Sequence, residues 1–305
     1  MRIMQSVMTI AASFMLLATS ASTAPLKQDQ IIRLPVRQAD IEGVEACIRS
    51  PSDDCRKCRE SNQSNLSLMN YTLLHEALHA GGIKAEVEPV ISPNSERSRK
   101  MIASGMADIK TDWAFNISGN DDFLKTDPLL RAGEIEKGLY APRGFMEGKA
   151  DNALPDIHTL RAVGIRNWRL DWQVLESLPL ASLTNAATVK QMFSIINAGR
   201  ADFTLLEFSS RPDMGREVDG IWLYPIPGIK VSLPETQHFM VSRKLKDADK
   251  VIEALNRGIK TLRDNGFIRL CLMNNGVIHP EVEDWHTLNA TAETADRDHS
   301  TVSSQ

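Results

Sequence analysis

Short apolar runs along this chain alternate with stretches whose apolar residues recur every three or four positions, the rhythm of buried strands and amphipathic helices. Residues 31–36 are the first apolar run, and it ends in Arg37-Gln38. A polar stretch of roughly 25 residues follows, long for a loop in a compact domain. Residues 65–80 read as a helix stopped by Gly81-Gly82, with residues 84–90 as the next strand. Residues 95–105 form a helix that turns Met101 and Ile102 inward, and residues 107–114 a strand. Residues 128–143 then cross to a second unit through Gly138-Leu139-Tyr140-Ala141-Pro142.

The second unit repeats the rhythm. It has a strand at 160–165, helices at 170–178 and 187–198, and a strand at 201–206. Val189, Met192, Phe193 and Ile196 share one face of the second helix. Residues 237–242 return as a strand, followed at 251–262 by an amphipathic helix on Val251, Leu255, Ile259 and Leu262. From residue 290 onward the chain is rich in Thr, Ser and Asp and reads as a disordered tail. Strands alternating with helices predict an α/β class, each unit a mostly parallel sheet flanked by helices. A chain that crosses over and returns lays two linkers side by side, which makes a hinge. Ligands of such sheets bind at the carboxyl ends of the strands, so the cleft between the units is the expected site.

The first residues decide where this fold is expected to work. Arg2, a mostly apolar run over 8–18 and the small residues Thr19-Ser20-Ala21-Ser22-Thr23-Ala24 follow the order of a secretory signal. That run falls short of the roughly 20 residues a membrane span needs. The expected product is an exported, soluble protein cut after Ala21 or Ala24. Removing the signal takes one arginine and no acid, so the net charge moves from −4 to −5. Mild acidity argues against a nucleic-acid surface. The 42% hydrophobic composition suffices for one large core or two smaller ones, and the three tyrosines do not suggest an aromatic-rich sugar cleft.

Cys47, Cys55, Cys58 and Cys271 are four cysteines in an oxidising compartment, with three possible connectivities. Cys55-Arg56-Lys57-Cys58 sits in the polar loop SPSDDCRKCRESNQSN and not at a strand-to-helix turn, which a redox pair would need. A second CxxC that would complete a zinc site is missing. Structural disulfides are therefore expected, stapling this loop and reaching the C-terminal region through Cys271.

LLHEALHAGGIKAEVEPV followed by SERSRKMIASGMADI resembles the first lobe of family-3-type periplasmic solute-binding proteins. In those proteins a helix closing on Ala-Gly precedes a strand, and the next helix ends in G-x-x-D. MFSIINAGRADFTLLE resembles the equivalent element of their second lobe, and ETQHFMVSRK with its following helix the strand that returns to lobe one. The resemblance covers roughly residues 31–272. It implies a type 2 periplasmic-binding fold of two α/β lobes joined by a two-strand hinge. Lobe one would comprise 25–135 and 232–289, lobe two 136–231, with 1–24 as signal peptide and 290–305 as tail. It further implies capture of a small polar or amino-acid-like molecule without catalysis, cofactor or metal. A monomeric binding protein of this kind would hand its ligand to an inner-membrane ABC permease or a sensory receptor domain.

His75-Glu76-Ala77-Leu78-His79 also spells the HExxH of zinc proteases, in which two histidines one turn apart share a metal and the glutamate acts as base. At roughly 100° per residue, Leu66, Met69, Asn70, Leu73, Leu74, Ala77 and Gly81 gather on one side of this helix. His75 and His79 fall on the opposite, solvent side. The longer HExxHxxGxxH pattern fails at Ala85, where its third ligand belongs. The pentapeptide therefore leaves a zinc metalloprotease as the third reading, behind binding and a dehydratase-like enzyme.

Candidate ligand contacts come from strand ends. In amino-acid-binding relatives an Arg shortly after the third lobe-one strand grips the ligand carboxylate bidentately. Here none lies between Asp112 and Pro128, although Arg131 follows. Where those relatives place hydroxyl residues at a helix N-terminus, this chain has Gly164-Ile165-Arg166-Asn167-Trp168-Arg169. Both departures point away from a plain α-amino acid. Trp113 and Trp168 are placed to sandwich an apolar or planar group, and Arg166 or Arg169 to meet an anion. Glu207, directly after its strand, matches the acidic position that binds the α-amino group in relatives. Arg37, Gln38, Asp112, Asn116, Asn167 and Gln237 complete the set. A dehydratase-like enzyme on the same scaffold would need an acid or base in the cleft, for which Glu207 is the candidate.

Overall fold

Alternate residues of the first strand, β1 (Gln30–Val36), enter the core: Ile32, Leu34 and Val36 are buried. This is the first element of a computed structural model that describes residues 30–49, 56–58, 66–146, 154–209 and 211–290. The expected signal peptide, Cys55 and residues 291–305 lie outside the described residues. Where the sequence predicts a continuous polar loop, the chain forms a helix, α1 (Ile41–Arg49), with Val44 and Cys47 buried. Its three-residue apolar spacing is masked by the glutamates between.

Helix α2 (Leu66–Ala80) ends as expected at the glycine pair, Gly82 taking the left-handed backbone (φ 89°) while its N–H donates to the His79 carbonyl. The helix buries more than one stripe. Tyr71, Thr72 and Leu78 are buried alongside Met69, Leu73, Leu74 and Ala77, whereas Leu66 is exposed. The reason is that α2 lies between other helices and the sheet. It is followed by β2 (Ala85–Ile91), parallel to β1, then α3 (Ser95–Ser104), β3 (Ile109–Trp113), the single turn α4 (Ala114–Ile117) and β4 (Phe123–Lys125).

Strand β5 (Glu136–Ala141) carries the chain into the second lobe. There β6 (Arg161–Gly164), α5 (Arg169–Ser177), β7 (Ser182–Asn185), α6 (Val189–Asn197), β8 (Thr204–Leu206), β9 (Arg216–Val218) and β10 (Ile221–Ser232) follow. The return brings β11 (Gln237–Ser242), α7 (Ala248–Asp264), α8 (Phe267–Asn274) and the short β12 (His286–Thr287). β7, β10 and α8 are elements the sequence pattern does not announce. β10 contains Pro225, Pro227 and Gly228 (φ 82°), and its pairing with β5 shifts register between Pro225 and Lys230. Such residues in a strand mark a bulge and hide its period.

The lobes exchange strands. β5, arriving from lobe one, pairs antiparallel with both β8 and β10. β11, arriving from lobe two, pairs antiparallel with both β3 and β4. The likeness extends to side chains. Arg33 of β1 forks onto Asp108, with Nε at 2.8 Å and Nη2 at 2.6 Å from its two oxygens. Arg161 of β6 grips Asp202 likewise, at 3.1 and 2.7 Å. Each aspartate closes a G-x-x-D sequence and also accepts from the backbone N–H of its arginine, at 2.8 Å in both lobes. The fork thus ties the first strand of each lobe to the start of the third.

Behind the sheet of lobe one, α2 and α7 cross almost in backbone contact. A Cβ on Gly258 would stand 1.8 Å from the Ala77 carbonyl oxygen, and one on Gly81 2.0 Å from that of Ala254. Cys58 is disulfide-bonded to Cys271 in α8, the expected link from loop to C-terminal region, and Cys47 is disulfide-bonded as well. The segment after α8 runs back across the hinge. Leu288 donates to the Lys230 carbonyl, Asn289 bonds the backbone of Ser232 in both directions, and Val282 and Trp285 pack into the core of lobe two. Among the described residues no helix is long and apolar enough to cross a membrane.

Candidate ligand-binding cleft

The carboxyl ends of β1 and β3 deliver Arg37, Gln38 and the Asp112–Asn116 turn, and those of β6 and β8 deliver residues 165–169 and Glu207. One contact joins the two sets across the lobe boundary: the Arg169 guanidinium lies 4.6 Å above the ring of Phe115. A guanidinium flat on an aromatic face is attracted by the ring quadrupole. This contact joins the start of α5 in lobe two to α4 in lobe one.

On the lobe-one wall Asp112 organises the turn. It is only 5% exposed, and burial alone would raise its pKa. Lys110 Nζ at 2.7 Å, Asn116 Nδ2 at 2.8 Å and the Trp113 N–H at 2.9 Å outweigh that and hold it low. Arg99 approaches at 3.4 Å. Burial pulls the Lys110 ammonium in its turn below its ordinary value. Trp113 is half-buried and pairs in register with Gln237. Asp112, Trp113, Asn116 and Gln237 are therefore neighbours, as the strand-end reading expects. Beside them His238 is buried between the Thr126 carbonyl and the Thr236 hydroxyl, and burial lowers its pKa. Arg37 and Gln38 are exposed at the edge, with Arg37 held by Asp40 at 2.6 Å.

On the lobe-two wall Arg166, Asn167, Trp168 and Arg169 are exposed. The Asn185 side chain, at the end of β7, accepts from the Arg166 N–H at 2.9 Å, and the Arg166 guanidinium lies 4.8 Å above the ring of Trp172. Glu207 is 38% exposed through its side chain and meets a partner that sequence reasoning missed. Lys137 of β5, only 5% exposed, places Nζ 3.0 Å from Glu207 and 2.7 Å from Asp171 of α5. Burial alone would neutralise this ammonium, but the two carboxylates raise its pKa and keep it charged. In return Lys137 holds the Glu207 carboxyl down at about 2, whereas burial raises that of Asp171. Arg216 fixes the same strand end by donating to the carbonyls of Glu207 and Phe208, at 3.0 and 2.8 Å. The available signal for Lys137 was a lysine entering an apolar strand, which only a buried counter-charge permits.

Two other sequence features lie apart from the cleft. Arg131 lines a cavity of about 290 Å³ between the hinge strands and the C-terminal segment, with Glu134, Glu136, Lys230 and His279. The HExxH pair sits on α2, which packs on α1, α7 and α8. His79 is exposed, and both ring nitrogens of His75 are engaged, Nε2 with Arg56 at 2.9 Å and Nδ1 with Glu76 at 3.0 Å. Among the described residues no group of three His, Cys, Asp or Glu could hold a metal ion.

No protein-family model matches this chain, and no curated protein does. Solved structures do. The second substrate-binding domain of GlnP from Lactococcus lactis, in its open conformation, has a TM-score of 0.52 at 14% identity over 84% of this chain and 98% of that one. AbpA from Streptococcus pneumoniae, an amino-acid ABC transporter substrate-binding protein bound to L-arginine, has a TM-score of 0.44 at 12% identity, over 82% and 95%. The periplasmic VFT2 domain of BvgS from Bordetella pertussis has a TM-score of 0.44 at 14% identity, over 79% and 92%. The likeness to the lactococcal domain is one of fold, and it spans nearly that whole domain. The chain has the two-lobed, type 2 periplasmic-binding fold of that domain.

Proposed function

We propose that this protein is an exported, periplasmic solute-binding protein that captures a small polar or amino-acid-like molecule between its lobes without transforming it. The observation that carries the reading is the strand exchange. β5 and β11 each anchor in the lobe opposite their origin, so the lobes rotate about paired strands while the strand ends close on a ligand. Lobe one is then 25–135 with 232–289, whose last residues strap onto lobe two, and lobe two 136–231. The ligand-contacting set is Arg37, Gln38, Asp112, Trp113, Asn116, Arg166, Asn167, Trp168, Glu207 and Gln237. The partner is an inner-membrane ABC permease or the sensory domain of a membrane receptor, and the binding protein works as a monomer.

Binding rather than turnover is supported by the state of Glu207. A general base works best with a pKa near the operating pH, and Lys137 holds this carboxyl at about 2. Native mass spectrometry of the protein as purified, followed by a thermal-shift screen of metabolites, tests the reading. A ligand at 100 times its Kd adds about 2.7 kcal/mol, so one-to-one occupancy with a clear rise in melting temperature is expected. Conversion of the bound metabolite to a product, or the absence of any stabilising metabolite, would overturn it.

A further inference from the structure

We infer that the cleft is built for a small organic carboxylate that carries no ammonium group. The inference rests on the solute-binding reading and follows from which charges facing the cleft are already answered within the protein. Three carboxylates of the described walls are so answered. Asp112 is surrounded by Lys110, the Asn116 amide, the Trp113 N–H and Arg99, at 2.7 to 3.4 Å. Asp171 and Glu207 share the Lys137 ammonium, at 2.7 and 3.0 Å. Lys137 thus occupies, as a fixed part of β5, the place beside Glu207 that a ligand ammonium would take. A ligand amine would have to compete with a buried lysine for that carboxylate, and would strand the lysine beside Asp171 alone.

The cations are answered differently. Arg166 and Arg169 are exposed at the start of the α5 segment, and neither has a carboxylate within ion-pair distance among the described residues. Both are positioned by rings instead, Arg166 by Trp172 and Arg169 by Phe115 across the lobe boundary. Stacking restrains the plane of a guanidinium while leaving its N–H edge free, and that edge matches a carboxylate bidentately. Arg169 reaches lobe one through Phe115, so a carboxylate held by the two arginines would be gripped where the lobes meet. An ammonium in the same place would meet only like charge.

Isothermal titration of the mature full-length protein with matched acids tests this directly: glutarate against L-glutamate, succinate against L-aspartate, 2-oxoisovalerate against L-valine. Within at least one pair the acid lacking the ammonium is expected to bind at least tenfold more tightly than its amino-acid partner. Arg169→Gln and Arg166→Gln are each expected to weaken that acid about tenfold, with circular dichroism and melting temperature unchanged. Amino acids binding as tightly as their deaminated partners would overturn the inference and leave the solute-binding reading standing. So would unaltered affinity in both arginine variants. If no compound binds, the molecule released from the purified protein on denaturation decides: an anion without an ammonium supports the inference, and an amine overturns it. No released molecule and no binding would overturn both.

Discussion

Lys137 shows how a single residue redirects the chemistry of the cleft. By its place after an apolar strand, Glu207 reads as a ligand contact, and the structure pairs it with Lys137 at 3.0 Å. The sequence hides this because the three members stand at positions 137, 171 and 207, on β5, α5 and the end of β8, and only the fold brings them together. That Asp112, Trp113, Asn116 and Gln237 stand together was legible, because strand ends are set by local pattern and these four lie on paired strands or the turn that follows. The ion pair also makes a testable statement about pH. Glu207 has a folded pKa of about 2 against an ordinary 4.5. A lowered carboxyl pKa adds stability that is complete above the unfolded value and is lost as pH falls through the folded one. Asp171, raised chiefly by burial, works in the opposite sense in both proteins, and less so in the variant, which lacks the Glu207 charge that also raises it. The stability gap between wild type and Glu207→Gln is therefore expected to be level above about pH 4.5 and to shrink toward pH 2. Urea unfolding across that range measures it, and a gap that ignores pH would dismiss the pair.

At the scale of elements, helices and strands with a clean period were legible and those with interruptions were not. α2, α6 and α7 show regular apolar spacing and, like α3, appear within a few residues of where the sequence puts them. α1 is hidden among charges, and β10 by its prolines and bulge. The glycine pair after α2 has two separate jobs. Gly82 supplies the left-handed turn, whereas Gly81 lets the backbone of α7 approach. Gly258 on α7 does the same in return, and a methyl there would overlap the Ala77 carbonyl. Overpacking of this kind usually costs roughly 1–3 kcal/mol. Gly258→Ala is expected at the upper end because the obstacle is backbone, and a denaturant midpoint equal to wild type would show that the helices can ride apart.

For the whole molecule the two halves repeat one plan: parallel strands, an inserted antiparallel strand from the other lobe, and an Arg–Asp fork at the same place. The G-x-x-D repeats made that duplication visible in sequence, and the forks give it a physical reason. The strap of residues after α8 was not visible, since its hold on the hinge depends on backbone pairing with β10 and on Val282 and Trp285 filling lobe two. It adds a third connection between lobes that must flex when they close. Capture on this scaffold is therefore a motion: a ligand enters an open cleft and the lobes shut on it. Small-angle X-ray scattering of the mature protein, alone and saturated with the compound giving the largest thermal shift, tests it most directly. A smaller radius of gyration on saturation is the predicted result, and a saturated protein with an unchanged scattering curve would contradict the account.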